Sequence, residues 1–389
     1  MLALRQIFAV TLMNLRTIPA RLGSSLVVVI GMACAVGALV SILSMSAGFV
    51  RMMTATGSPN RAIILSDGAL GEWGSTISRD TVNTVTDMPG IKSDAAHKRV
   101  VSADYVGYTV VTKKSDGTDT YLTVRGVGKA NGALRPEIKL VSGRMFRPGQ
   151  YELITGAAAQ GQFDGLKEGD RVTLPEGEWL VTGTFESNGS ASESELITDS
   201  TTLLSAMRMT TYKSLTVLLD SPDSFARFKT AVTSRPGPAL RIERENDYYL
   251  DQSKSFNAFL TTIAYVVGGI MGLGAVFGAL NTMYSAVASR TREIATLRAV
   301  GFGAAPVVVS VMAEALLLCL AGACLGIFVA WLAFNGNQHS MGGMVIRFAV
   351  SPALAVTGAV FACVLGLAGG LFPGVRAARL PVADALRAV

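Results

Sequence analysis

Residues 285–314 read SAVASRTREIATLRAVGFGAAPVVVSVMAE. Two long apolar segments meet in this stretch, with a short basic amphipathic patch between them. In a helix over Ser289–Val300 the apolar residues Ile294, Leu297 and Val300 fall at i, i+3 and i+6, while Arg292, Glu293 and Thr296 take other faces. Gly301 can end that helix before Phe302. The stretch therefore reads as a helix–loop–helix turn joining two membrane spans, with a docking face on the loop.

Working outward, the apolar segments number four. They cover residues 22–50, 255–287, 304–334 and 350–372, each long enough for the roughly 20 residues of a membrane crossing. The first is too long for the apolar core of a secretory signal. Residues 1–21 mix apolar positions with Arg5 and Arg16, which predicts an amphipathic helix at the membrane surface. Small-xxx-small spacings recur in the spans, as Gly268 with Gly272, Gly322 with Gly326 and Gly366 with Gly370, and such spacings let helix backbones approach closely.

Composition agrees. Half of the 389 residues are hydrophobic, only 16% are charged and the mean hydropathy is +0.42. The net charge of +6 is not a nucleic-acid footprint, because residues 51–254 hold 24 basic and 25 acidic residues. The excess belongs to arginines beside the spans. Arg5, Arg16 and Arg21 precede the first, Arg290, Arg292 and Arg298 lie between the second and third, and Arg376, Arg379 and Arg387 follow the fourth. Four spans place all three groups on one side, and the positive-inside rule names it the cytoplasm. Both termini are then inside, as are a loop at 288–303 and a tail at 373–389, and the large polar segment 51–254 is outside. Only Arg347 falls in the outer loop between spans three and four.

The outer segment reads as mixed α and β. Arg61–Ser66 predicts a strand, Ser78–Met88 a helix and Lys98–Thr112 one or two strands. Near the far end Ser214–Asp220, Ser221–Val232 and Ala239–Glu243 repeat the strand–helix–strand order. The two units predict one lobe assembled from both ends, with a second, mainly β lobe inserted at about 113–209, where turn signals are dense. The fold class is thus an α-helical membrane protein with four transmembrane helices and a large mixed α+β extracytoplasmic domain of two lobes between helices 1 and 2.

Several chemistries lack a motif. Gly126-Val127-Gly128-Lys129 continues with Ala130, so no phosphate-binding loop is formed. His97 and His339 stand in no triad or zinc pattern, and Cys34, Cys319, Cys324 and Cys363 all lie in apolar stretches, where they read as small packing residues. The acid-rich stretch Glu186–Asp199 reads as a solvated loop rather than a cation site. Glu314 is different: a carboxylate nearly three turns into an apolar run calls for a partner or a function. It is expected either to make a polar contact between helices, to accept hydrogen bonds from the 288–303 loop, or to sit near the cytoplasmic interface.

Taken together, Arg290–Phe302 (RTREIATLRAVGF), Glu314, Pro373–Arg387 (PGVRAARLPVADALR), Gly143–Gly156, Gly169–Leu174 and Asp247–Ser253 closely resemble the MacB-like, FtsX-like permease subunits of ABC transporters. The resemblance covers essentially the whole chain. It implies that Arg290–Gly301 is a coupling helix, with Arg290, Arg292, Glu293, Ile294, Leu297, Arg298 and Gly301 as ATPase-coupling residues and Glu314 as the intramembrane polar residue. It further implies a non-catalytic subunit in the bacterial inner membrane that binds no cofactor itself, with ATP and magnesium held on a partner ATPase chain. Family members imply a homodimer, or a heterodimer with a related permease, together with a periplasmic adaptor and an outer-membrane channel, in a mechanotransmission pump that drives export. The alternative is a permease-like machine that relays ATP hydrolysis to lipoprotein extraction or to a periplasmic enzyme.

Overall fold

The computed structural model describes residues 22–175, 177–341 and 343–379. The amphipathic helix expected over 1–21 lies outside them, with Arg5, Arg16 and Arg21, and so does the end of the tail with Arg387. The chain forms two units. An α/β unit holds residues 47–257 and 338–347, and the described part of a helical unit holds 22–46, 258–337 and 348–379.

The chain enters on helix α1 (Leu22–Thr56), whose last ten residues belong to the α/β unit. Strand β1 (Arg61–Ser66), helix α2 (Arg79–Thr86), strands β2 (Val101–Thr112) and β3 (Asp119–Val127) and the single turn α3 (Asn131–Leu134) follow. Ser78 caps α2 by accepting from the Thr81 amide. Next come β4 (Lys139–Gly143), β5 (Glu152–Gly156), α4 (Ala157–Gln162), β6 (Arg171–Leu174), β7 (Gly177–Glu186), β8 (Leu196–Asp199) and α5 (Ser200–Ala206). The unit's main run closes with β9 (Ser214–Leu218), α6 (Ser224–Thr233) and β10 (Leu240–Arg244).

One ten-stranded sheet carries them in the order β10-β1-β9-β2-β3-β8-β5-β7-β4, with β6 on β7. The predicted strand–helix–strand units β1-α2-β2 and β9-α6-β10 are both present, and they interleave rather than stand side by side. Each strand pairs antiparallel with members of the other unit, which is the split β-α-β arrangement. Their apolar faces and the two helices bury Ile64, Val85, Ile91, Leu215, Val217, Phe228 and Ile242 together. A second cluster, with Leu122, Phe163, Trp179, Leu196 and Leu203, fills the inserted segment. The expected lobe edge at 113 is not a break. Strand β2 pairs with β9 over Val101–Asp104 and with β3 over Tyr105–Thr112, so one strand belongs to both halves.

Charged residues bind the halves of this sheet together. Arg125 on β3 makes a two-pronged contact with Glu72 (2.8 and 3.0 Å) and another with Glu195 (2.7 and 3.0 Å). Arg135 pairs with the fully buried Asp104 at 3.0 Å. Arg61 pairs with Glu245 and with Glu137 (2.7 Å), and also donates to the Thr56 carbonyl at the end of α1. Because Glu245 opens helix α7 (Glu245–Ser289), Arg61 ties the last turn of α1 to the first turn of α7. Both contacts suit the helix dipoles, a cation at a C-terminus and an anion at an N-terminus. The Glu186–Asp199 stretch is corrected here: it is no solvated loop. Glu193 and Asp199 are buried, Asp199 caps α5 and Glu195 grips Arg125, so these three acids satisfy local donors, while Glu186 at the start of the stretch is exposed.

Beyond α7 come α8 (Thr291–Ala299), α9 (Ala304–Phe334), a hairpin of β11 (Gln338–Met341) and β12 (Met344–Arg347), and α10 (Pro352–Ala378). Helices α1, α7, α9 and α10 are long and apolar enough to cross a membrane. The hairpin belongs to the α/β unit, where Val345 joins the second cluster and its amide donates to Ser194 Oγ at 2.9 Å. The sequence predicts only an outer loop between spans three and four here.

In the helical unit the paired glycines meet neighbouring helices. A Cβ on Gly322 would lie 2.6 Å from the Val29 carbonyl oxygen, and one on Gly326 would lie 2.4 Å from that of Ala33. Helices α9 and α1 therefore touch backbone to backbone. Gly326→Leu should cost about 1–3 kcal/mol by overpacking that crossing. Thermal unfolding of the full chain in detergent would register it as a lowered Tm, and an unchanged Tm would mean the crossing is loose.

Candidate functional site

The connection between α7 and α9 is compact. Helix α7 stops at Ser289, Arg290 breaks it with φ −114° and ψ 12°, and α8 begins at Thr291. The single helix expected over Ser289–Val300 is thus two elements with Arg290 at the corner. At the other end of α8, Gly301 adopts φ +100°. Its amide donates to Arg298 O and the Phe302 amide to Leu297 O, the paired bonds of a Schellman cap. Glu293 in the first turn and Arg298 in the last complement the helix dipole.

Three contacts fix α8 to the helical unit. The buried guanidinium of Arg290 brings Nη1 to 3.5 Å from Glu314 Oε2 on α9, and Glu314 is only 5% exposed. The expected contact between Glu314 and the 288–303 segment is present. Ile294 turns into the core formed with Val287, Val307, Val311 and Ala377. Arg298 donates through Nη1 to the Ala378 carbonyl at the end of α10. Arg376, also in the last turns of α10, lies over the Tyr284 ring at 5.3 Å, and the two side a cavity of about 340 Å³ with Ser285, Ala288 and Thr291.

The apolar line read from the sequence therefore divides. Ile294 is inward, Leu297 is half-buried and Val300 is 75% exposed. The open face of α8 carries Arg292, Glu293, Thr296, Ala299 and Val300, followed by Gly301. Sequence reasoning named Arg290 and Glu314 separately and missed their pairing. Part of the signal was available: a lone carboxylate inside an apolar run needs a cation, and Arg290, Arg292 and Arg298 are the three that precede it, but sequence distance does not single out Arg290. The anchoring of Arg298 on a main-chain carbonyl had no signal in the sequence.

Among the described residues no group of three or more His, Cys, Asp or Glu side chains gathers as a metal site. Among the described residues, the arrangement around α8 offers no nucleophile–base geometry. What it offers is a short, capped helix, held from behind by an ion pair and an apolar residue, with a mixed charged and apolar front.

Comparison with known proteins bears on both units. The family model described as MacB-like periplasmic core domain matches residues 25–235, and the one described as FtsX-like permease C-terminal matches 265–382. The macrolide export ATP-binding/permease protein MacB of Nitrobacter winogradskyi is 28% identical over 290 residues, covering 69% of this chain and 42% of that protein. The protein of the same name from Escherichia coli K12 is 36% identical over 137 residues, covering 34% of this chain and 20% of that protein. The chain thus spans less than half the length of these relatives. The solved extracellular domain of the noncanonic ABC-type transporter YknZ from Gram-positive bacteria aligns over 47% of this chain and all of its own, at 14% identity and a TM-score of 0.36.

Proposed function

Because the chain belongs to the family of permeases built from a MacB-like periplasmic core domain and an FtsX-like permease C-terminal part, we propose that it is the membrane subunit of an ABC transporter. In this reading α1, α7, α9 and α10 span the bacterial inner membrane, the α/β unit is periplasmic and α8 is cytoplasmic. A separate ATPase chain, with its ATP and magnesium, docks on α8. Two permease chains work as a dimer, and the α/β units act with a periplasmic adaptor and an outer-membrane channel to extrude substrate.

The observation that carries the reading is the construction of α8. A helix that passes force needs a stiff rear and an open front. Arg290–Glu314, Ile294 and Arg298 supply the rear, and Arg292, Glu293, Thr296, half-buried Leu297 and Val300 supply the front. Movement imposed on α8 would pass directly into α7 and α9, between which it is spliced. Helix α7 continues to Glu245, where Arg61 ties it to the last turn of α1. Force on the cytoplasmic loop thereby has a continuous covalent and hydrogen-bonded route to the α/β sheet without substrate entering the bundle.

Substituting Val300→Asp, and separately Leu297→Asp, tests the docking. An unpaired Asp carboxylate buried in the interface should cost about 2 kcal/mol or more, so recovery of ATPase activity with the affinity-purified permease should fall about tenfold or further. The proteolysis pattern of the α/β unit should be the same in both variants as in the unsubstituted chain. Full recovery of ATPase with Val300→Asp would count against docking on this face.

A further inference from the structure

We propose that the α/β unit holds a binding site for a phosphate ester bearing a primary amine, the headgroup chemistry of phosphatidylethanolamine. The site is a cavity of about 400 Å³ in that unit. One wall is a single face of α1, with Gly48, Arg51, Met52 and Ala55 at i, i+3, i+4 and i+7. A second is β12 with Val345 and Arg347, and the third is the Glu186–Glu193 segment. Helix and hairpin are closely apposed, since a Cβ on Gly48 would lie 2.6 Å from the Arg347 carbonyl oxygen.

The charges in this cavity are arranged for a ligand with both signs. Arg347 is pre-oriented: Nη2 lies 3.5 Å from the buried Glu193 carboxylate, and the Gln338 amide oxygen, turned toward it, accepts from Nη2 at 3.2 Å and Nε at 3.0 Å. Its Nη1 group is engaged by none of the described residues. Arg51 is exposed, and its guanidinium has no partner among them. Glu186, exposed on the opposite wall, is likewise an open carboxylate. A simple anion would satisfy the arginines but be repelled by Glu186, whereas an aminoethyl phosphate satisfies both.

An independent observation points to an occupant. Ser190 lines the cavity at 3% exposure, and its hydroxyl makes no hydrogen bond with any described residue. A buried hydroxyl left unmet is costly, and a phosphate oxygen in the cavity would accept from it. Met52, Ala55, Ala158 and Val345 add apolar wall suited to the glycerol end of a lipid. The lipid source rests on the proposed membrane reading of α1. The headgroup chemistry does not.

The test is native mass spectrometry of the detergent-purified full chain offered equimolar phosphatidylethanolamine and phosphatidylglycerol. The site predicts preferential retention of phosphatidylethanolamine. Arg51→Gln should lower that occupancy about tenfold, the scale of one charge-assisted hydrogen bond. Glu186→Gln should erase the preference while leaving phosphatidylglycerol bound. Ser190→Ala should weaken retention without lowering the Tm, which a merely structural hydroxyl would not do. Competition by soluble glycerophosphoethanolamine identifies a free ester as the ligand, and its failure to compete identifies the lipid. Equal retention of the two lipids by the wild type, or full retention by Arg51→Gln, overturns the site and leaves water as the occupant. Failure of an Arg51→Cys variant to react with an impermeant maleimide in spheroplasts would instead remove the membrane reading and leave headgroup binding standing.

Discussion

Glu314→Leu should be among the most damaging single changes in the helical unit, lowering its stability by about 3–5 kcal/mol, because Arg290 would remain buried without its carboxylate. The loss is the cost of removing one partner from a buried pair and not the worth of the pair. The double variant Arg290→Met with Glu314→Leu should therefore recover most of the lost Tm, since apolar residues of similar volume replace buried ion pairs at little cost. The two readouts separate there. If the pair also keys α8 to α9, the double variant should regain its Tm while ATPase activation in the reconstituted complex stays low. A double variant as unstable as Glu314→Leu would show that the pair is not the contact being broken.

The second large effect belongs to the α/β unit. Arg125 holds Glu72 and Glu195 from one guanidinium, with Asp104 3.8 Å away. Arg125→Met removes the cation and leaves these carboxylates buried together, at about 3–5 kcal/mol. Its pH dependence has a definite sign. In the native chain, burial opposes ionisation of Glu72, but the Arg125 charge and hydrogen bonds outweigh it and hold the carboxyl below its ordinary value. A depressed carboxyl contributes stability above its unfolded pKa and loses it as pH falls through the folded value. Without Arg125, burial is opposed only by the Ser214 hydrogen bond and the Arg135 charge, so Glu72 shifts upward from its native position and protonation favours the variant's folded state. The gap between wild type and Arg125→Met should be widest near pH 7 and narrow as pH falls toward the ordinary carboxylate range. Hydrogen exchange of the β2 and β3 amides measures it locally, and a gap that widens with acid would contradict the assignment.

Much of this fold could be read from local pattern. The strand Arg61–Ser66 and the helix capped by Ser78 stand close to where periodicity and capping chemistry placed them, because nearest-neighbour preferences and burial agree there. The four apolar helices were legible from length alone, although each except α9 runs beyond its expected bounds. What escaped depends on partners distant in sequence. Arg61, Arg125 and Arg135 look like solvated charges in a polar stretch, yet they meet acids up to 184 residues away inside the sheet. The Gln338–Arg347 segment gave no strand signal strong enough to place it, and it is ordered as a hairpin by contacts with Ser194 and Glu193. At the candidate site the segment was legible as a short capped helix, but helical spacing alone could not tell which apolar residue faced inward. Packing of Ile294 against α9 and α10 decides that, not periodicity.

Docking of an ATPase chain on the open face of α8 is the step from which the proposed coupling follows. A photo-crosslinking amino acid placed at Val300, in the intact permease expressed with its cellular partners, tests it most directly. Irradiation should join the permease to an ATP-binding protein, with crosslinking lost when the same group is placed at buried Ile294. Crosslinks from Val300 to lipid alone, with no ATP-binding protein among the products, would contradict it.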